Sequence, residues 1–341
     1  MAVQYFGKFS DCFLVKGVKR GIIYDLTRKK HDLIPLSLID FVNSIENKPI
    51  TIIEEFKKKY DAKIIDEYLS FLMDKEYLFT ATKDELKLFI PMQNNWDIPS
   101  VFSNAIIELG VLDFEKIKVM ISKLEEVNCC HLQFFYFSKI KTDELELFAD
   151  LFSNTRIKSV ELYIDYSVEY ESYSWDDFLV SNKRIKSVIS SNSPKLSHKV
   201  HGKYGMGNII YLPIEVDLPI NKSNSHPNYL NVNIDLFFEN LNYNSFFYKK
   251  VFIDRDFQII KDFVNRESFG SILDTDLKKL SKNKDYTEYW TVRKDDIKEC
   301  QKCEFRYMCI DQRTPIKKGK YWGFDTKCNY NPNTLEWNNY S

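Results

Sequence analysis

Four of the chain's seven cysteines lie near its end, as Cys300, Cys303, Cys309 and Cys328. A CxxC pair can bind a metal from a single turn, and two further cysteines can complete a set of four thiolates. Basic residues that would offset the thiolate charge and lower the thiol pKa surround them: Lys298, Lys302, Arg306, Arg313, Lys317 and Lys318. The pattern therefore predicts a four-cysteine metal site. Because zinc and a [4Fe–4S] cluster both accept four thiolates, the ligand types leave the two open.

The other cysteines stand apart from this group. Cys12, Cys129 and Cys130 are expected to be buried structural thiols. Cys129, Cys130 and His131 begin a predicted strand, in which adjacent side chains point to opposite faces and do not easily converge on one metal.

Three further residues have types that could support chemistry. His198 and His201 flank a polar loop, for which a surface role is favoured over a metal or proton-transfer site. Asp165 ends a predicted strand, where a helix cap or a loop contact is the favoured interpretation.

The composition of the chain limits its possible partners, its cellular location and its number of domains. The chain has 341 residues and a net charge of −1, so no charge excess indicates a nucleic acid or an anionic membrane as partner. We find no signal peptide and no apolar run long enough to cross a membrane, and the odd, clustered cysteines favour a reducing compartment. We therefore expect a cytoplasmic protein of two or three domains, and leave a homodimer open.

The first ninety residues predict a β-hairpin, three short helices and a closing strand, which is a winged-helix layout. The segments FLVKG, GIIYDLT, PLSLIDFVNSI, PITIIEEFKKKYDA and IIDEYLSFLMDKEYLF resemble, in order and spacing, the PqqD-like leader-peptide recognition element of ribosomal-peptide maturation enzymes. In that family an edge strand and the third helix bind an extended peptide, which docks by adding a strand. The resemblance implies a peptide groove at Val18, Gly21, Ile22, Tyr24, Leu26, Ile65, Tyr68, Leu69 and Leu72. DNA binding is the disfavoured alternative, since Lys57, Lys58 and Lys59 fit a solvated helix face.

From about residue 100, strand-like and helical runs alternate, which predicts a parallel sheet covered by helices. Ligands of such sheets bind at the carboxyl ends of the strands. The first of these strands is followed by ELGVLDFEK, and the chain contains neither a CxxxCxxC triplet nor a glycine-rich phosphate loop.

The spacing Cys300-x2-Cys303-x5-Cys309-x18-Cys328 resembles the second auxiliary cluster of SPASM domains, which extend many peptide-modifying radical SAM enzymes. The preceding YKKVFIDRDFQIIKDFVNRESFGSILDTDLKKL is similar to the SPASM lead-in, but it has Asp256-Phe257 where Asp-Gly is usual and has no cysteine. Arg313 stands where a further cysteine is expected. The resemblance implies that the first auxiliary cluster is lost and that one [4Fe–4S] cluster remains, with zinc as the alternative.

Together these parts resemble the grasp-with-spasm SPASM-domain peptide maturases, which are encoded beside an ATP-grasp ligase and a small precursor peptide. The implied α/β fold has a PqqD-like winged helix (1–90), a degenerate radical-SAM-like partial βα barrel (91–240) and a single-cluster SPASM domain (241–341). The implied function is to bind the precursor and assist the ligase, without radical SAM activity. The alternatives are a peptide-modifying or electron-transfer enzyme that uses the cluster, and a zinc-stabilised peptide-binding module.

Overall fold

The fold is described from a computed structural model, which covers residues 2–201, 205, 207–220 and 226–338. The strands are β1 Gln4–Lys8, β2 Cys12–Lys16, β3 Gly21–Asp25, β4 Lys30–Ile34, β5 Leu78–Thr82, β6 Asn104–Glu108, β7 His131–Tyr136, β8 Ser159–Asp165, β9 Ile185–Ser191, β10 Ser197–His201, β11 Gly207–Tyr211, β12 Lys250–Ile253, β13 Gln258–Ile260, β14 Ser268–Ser271, β15 Ile316–Lys318, β16 Tyr321–Gly323, β17 Tyr330–Asn331 and β18 Glu336–Trp337. The α-helices are α1 Leu36–Ile45, α2 Ile52–Lys59, α3 Ala62–Asp74, α4 Lys83–Leu86, α5 Phe114–Glu126, α6 Thr142–Asp150, α7 Trp175–Ser181, α8 Ile234–Asn242 and α9 Leu277–Leu280.

The N-terminal part combines small antiparallel sheets with three helices. Strands β2, β3 and β4 form a meander with β3 in the centre, and β1 pairs with β5. The predicted helices are present as α1, α2 and α3. In α1, the apolar residues Leu38, Phe41, Val42 and Ile45 recur at helical spacing, and all four are buried in the N-terminal core.

The centre of the molecule is a nine-stranded, mostly parallel sheet in the order β10-β11-β9-β8-β7-β6-β12-β13-β14. Strands β6, β7, β8 and β9 are parallel to one another, and β11 and β12 continue this direction on either side. Helices α5, α6 and α7 connect successive strands, and their apolar residues join those of the strands in the largest core cluster. The predicted α/β class with a parallel sheet is therefore confirmed.

Residues on both sides of the expected division at residue 240 contribute to the central sheet. Strand β12 pairs in parallel with β6, and β13 and β14 extend the same sheet beyond it. The segment that resembles a SPASM lead-in thus forms one edge of the central sheet. The remaining residues, from about 288 onward, form short 3₁₀ turns and two-stranded ladders around the four clustered cysteines.

Among the helices that the structure describes, none is long and apolar enough to cross a membrane.

Candidate functional site

The four clustered cysteines line one cavity of about 40 Å³. Cys300 begins a one-turn 3₁₀ segment, and the amide of Cys303 closes that turn by donating to the carbonyl of Cys300 at 2.9 Å. Cys309 follows a second 3₁₀ segment, and Cys328 lies just before β17. The structure therefore brings together all four residues predicted as metal ligands. They are half-buried, and none of these four forms a disulfide.

The cysteines surround a space and do not meet at a point. Among the described residues, no three His, Cys, Asp or Glu side chains converge closely enough to hold one metal ion. Four sulfurs bound to one zinc ion lie about 2.3 Å from it and so contact one another, whereas an iron–sulfur cluster has its own volume between its cysteines. The thiol donor set suits both groups.

The thiols of Cys300, Cys303 and Cys309 are held in their protonated form in the metal-free site. Burial raises the pKa of Cys309 to about 12, and it raises the pKa values of Cys300 and Cys303 above the ordinary value of 9.0. Arg313 lowers the pKa values of Cys300 and Cys309, as expected of a surrounding cation, but desolvation of the thiolate is the larger effect. A metal that binds here must displace these protons.

The basic residues around the cysteines differ in position from the sequence-based expectation. Lys298, Lys302, Lys317 and Lys318 are exposed, so water screens their charge from the site. Arg306 and Arg313 do line the cavity. Arg313 is buried, donates from Nε to Asp311 at 2.9 Å and stacks over the Phe324 ring at 3.9 Å. A basic residue that the sequence analysis did not single out, Lys294, also lines the cavity.

Lys294 provides the test of whether the site fits an anionic metal centre. Its side chain is 1% exposed, and its Nζ has no hydrogen-bond partner within the part of the chain that the structure describes. The nearest carboxylate oxygen, Asp311 Oδ2, is 4.0 Å away. A buried ammonium is favourable only beside negative charge, and a centre of four thiolates would add such charge at this cavity. No sequence signal distinguishes Lys294 from exposed lysines such as Lys298.

The cysteine segment is anchored to the N-terminal hairpin. The Val18 amide donates to the carbonyl of Lys302 at 2.9 Å, and the Tyr24 hydroxyl donates to the carbonyl of Glu304 at 2.7 Å. The fully buried Glu304 carboxylate accepts from Arg20 Nε at 2.6 Å. Val18, predicted as a peptide contact, therefore bonds to the protein's own cysteine-containing loop.

The predicted peptide contacts on β3 need correction. β3 lies between β2 and β4, so both of its edges are paired and it cannot accept an added strand. The predicted contacts Gly21, Ile22, Tyr24, Leu26 and Leu72 are all buried. Ile22, Tyr24 and Leu26 pack in one core cluster with α8 and the cysteine segment. The protein's own chain thus covers the surface that was assigned to a peptide.

Two predicted contacts on α3, Ile65 and Tyr68, line a cavity of about 440 Å³ between α1, α2 and α3. We call this cavity the helix groove, and its main lining residues are Phe41, Phe56, Tyr60, Ile64, Ile65 and Tyr68. Ile65 is itself buried at its base, whereas Ile64 and Tyr60 are exposed. Leu69 is half-buried and packs on the N-terminal core. The structure therefore keeps an apolar surface at the helix half of the predicted groove.

The scattered candidates have structural partners. Asp165 Oδ1 accepts from Ser191 Oγ and Asn192 Nδ2, both at 3.0 Å, and so fixes the loop after β9. His131 Nδ1 lies 2.7 Å from Ser159 Oγ on the neighbouring strand. Cys12 and Cys129 are buried, as expected, and Cys130 is half-buried. His198 Nε2 is 3.4 Å from Asn208 Oδ1, and the His201 side chain lies outside the described residues.

A cavity of about 450 Å³, which no sequence motif predicted, lies at the carboxyl ends of β8, β9 and β11. Its lining includes Tyr166, Tyr170, Glu171, Tyr173, Trp175, Ser193, Lys195, Lys199 and Tyr211. This is the edge at which parallel sheets bind ligands. The tyrosine-rich YSVEYESYSW, directly after β8, was the available signal.

No protein-family model matches this chain, and comparison with curated proteins finds none that matches it.

Proposed function

We propose that this protein assists the maturation of a ribosomally synthesised peptide. It binds the precursor through its N-terminal part and works alongside an ATP-grasp ligase. Its four clustered cysteines hold a SPASM-type [4Fe–4S] cluster, and its sheet is a degenerate radical-SAM-like partial barrel. The single observation that carries this proposal is the cavity that Cys300, Cys303, Cys309 and Cys328 share with the buried Lys294, whose ammonium has no hydrogen-bond partner among the described residues.

The end of β6 is where a radical SAM triplet would follow the first barrel strand, and this chain has no such triplet. Glu108, at that end, is buried, and its carboxylate pairs with Arg255 and, at 3.0 Å, with Arg266. The Arg255 carbonyl also approaches Gly110 closely, 3.0 Å from where a Cβ would stand. These contacts occupy the strand end with ion pairs, which supports an accessory role without radical generation.

The four cysteines would supply all the protein ligands of the cluster and leave it no open site for a substrate. When bound, such a cluster can accept or donate one electron. The protein's own residues indicate a structural role. Val18 and Tyr24 bond to the loop that contains Cys303, so the ligand loop and the N-terminal hairpin hold each other in place.

For the precursor, we propose β4 as the edge strand in place of β3. Among the described strands β4 ends the three-stranded sheet, which leaves its outer backbone groups available for an added strand. The end of helix α3 lies beside it, since Lys75, the residue after α3, lies 3.4 Å from Asp32. Apolar residues of the leader would enter the helix groove. Asp61 at its rim favours a leader with a basic flank, whereas Asp40 at the same rim already pairs with Lys16 at 2.6 Å.

Binding of the precursor to the full chain tests this proposal. We expect the labelled leader peptide to bind with a measurable change in fluorescence anisotropy, and Ile64→Glu to weaken binding about tenfold or more by placing a charge in the helix groove. Val119→Glu on α5 is the matched control, because Ile64 and Val119 are each 45% exposed on a helix. A wild-type chain that does not bind the intact leader, or equal losses in both variants, contradicts the proposed site.

A peptide-modifying enzyme is the second candidate, and the cavity of about 450 Å³ at the carboxyl edge of the sheet favours it. Mass spectrometry of the precursor after co-expression separates the two functions. A mass change that requires this protein but not the ligase supports the enzyme. A change that requires the ligase, and that this protein increases, supports the accessory role.

A further inference from the structure

We infer that Lys294 is the internal counter-cation of the four-thiolate centre, so that its charge stabilises the loaded protein more than the empty one. This inference rests on the proposed metal centre and assigns a role to a residue that is not itself a ligand. It predicts that removal of this charge has a larger effect in the loaded state than in the empty one.

The position of Lys294 is unusual for a lysine. It begins the 3₁₀ turn Lys294–Asp296, and its side chain is 1% exposed. Its Nζ is among the buried side-chain atoms without a hydrogen-bond partner in the described part of the chain. It lines the cavity that is formed by the four cysteines. A lysine normally places its ammonium in water, so burial here requires a compensating interaction.

Asp311 does not supply that compensation in full. Its carboxylate already accepts from Arg313, with Nε at 2.9 Å and Nη2 on the second oxygen, and from the Arg313 amide at 3.1 Å. Lys294 Nζ is 4.0 Å from the same carboxylate, beyond hydrogen-bond distance. One carboxylate thus faces two buried cations, Arg313 and Lys294, and the other acidic residue that lines the cavity, Glu299, is exposed to solvent.

A loaded centre carries the matching charge. Four thiolates around either a zinc ion or an oxidised [4Fe–4S] core give a group with a net charge of about −2. The ammonium of Lys294 can then interact with thiolate sulfur in a water-poor environment, where charge pairs are strong. In the empty protein its nearest carboxylate, on Asp311, is shared with Arg313. The charge of Lys294 therefore contributes most to stability when the centre is filled.

The test compares Lys294→Met, which keeps the length and removes the charge, with Lys294→Arg, which keeps the charge. Lys298→Met is the matched control, since Lys298 lies on the same segment but is exposed. Each full-length protein is loaded anaerobically with ferrous iron and sulfide, or with zinc, and a second sample is stripped of metal under reducing conditions. Urea-unfolding midpoints are measured for both samples, and metal release to a coloured chelator is followed for the loaded one.

We expect Lys294→Met to lower the urea midpoint of the loaded protein by more than that of the stripped protein, and loaded Lys294→Met to release its metal about tenfold or more faster. Lys294→Arg should release metal at a rate closer to wild type, and Lys298→Met should match wild type in both states. An equal change of the midpoint in both samples, or unchanged metal release, overturns the role of Lys294 alone. A wild-type protein that takes up neither iron nor zinc overturns the proposed centre and this inference with it.

Discussion

At the residue scale, the sequence was sufficient to group the four cysteines but not to describe their surroundings. The spacing of Cys300, Cys303, Cys309 and Cys328 predicted that they act together, and they line one cavity. Their charge environment could not be derived, because burial depends on which segments cover a residue in three dimensions. Lys298 and Lys294 look alike in the sequence, yet one is exposed and the other is buried beside the thiols.

The protonated thiols predict a pH dependence for the metal-free protein. Burial raises the pKa of Cys309 to about 12, so this thiol stays protonated in the folded protein while its unfolded form ionises near the ordinary value of 9.0. The contribution of this protonated thiol to the free energy of unfolding is fully present below about pH 9. It is lost as the pH rises toward 12, by about 1.4 kcal/mol per pH unit for one thiol.

The measurement for this prediction is urea unfolding of reduced, metal-free protein between about pH 7 and pH 10.5. Cys309→Ser is the comparison that separates this thiol from the tyrosines and lysines that titrate in the same range. We expect the stability of wild type to fall more steeply above about pH 9 than that of Cys309→Ser. If the stabilities of wild type and Cys309→Ser fell equally with pH, the assignment of this pH dependence to Cys309 would be contradicted.

At the element scale, helical periodicity located α1, α2 and α3 correctly, whereas the strand assigned to peptide binding was wrong. In β3, GIIYD is apolar on both faces and every residue is buried, which is typical of a central strand. In an edge strand with one exposed face, apolar and polar residues would have alternated along the strand. The sequence pattern therefore indicates that β3 is covered on both faces. It does not indicate that the covering elements are α8 and the cysteine segment, which lie far along the chain.

The anchor between these elements predicts a stability effect. Arg20→Met leaves the fully buried Glu304 carboxylate without its cationic partner, and we expect a loss of about 2 to 4 kcal/mol in the free energy of unfolding. Glu304→Gln in the same chain removes the unpaired charge and should recover part of this loss. Urea unfolding of wild type, both single variants and the double variant measures the coupling. Additive losses would show that the two side chains do not depend on each other.

At the scale of the whole molecule, the three parts expected from sequence share their cores. The alternation of strands and helices after residue 100 predicted the parallel sheet, because that pattern permits few other arrangements. It could not show that β12, β13 and β14 join this sheet, since short strands carry no mark of their partners. The finer assignment of a degenerate radical SAM barrel remains a proposal.

The shared cores predict that residues 1–90 do not behave as an independent domain. Without the rest of the chain, β3 would expose Ile22, Tyr24 and the neighbouring Leu26, which pack against α8 and the cysteine segment. We expect this fragment to bind a hydrophobic dye and to aggregate, whereas the full chain does neither. Size-exclusion chromatography and dye fluorescence measure this. A monomeric, dye-free fragment would mean that the contact contributes little to the fold.

The most direct test of the central claim is metal and sulfide analysis of full-length protein purified without oxygen. We predict about four iron and four sulfide per chain, with iron–sulfur absorbance that is lost in Cys303→Ser and retained in the control Cys130→Ser. About one zinc per chain, lost in Cys303→Ser, would show that the four-cysteine site holds a zinc ion in place of the cluster. Neither iron nor zinc above the level of Cys303→Ser would contradict the account.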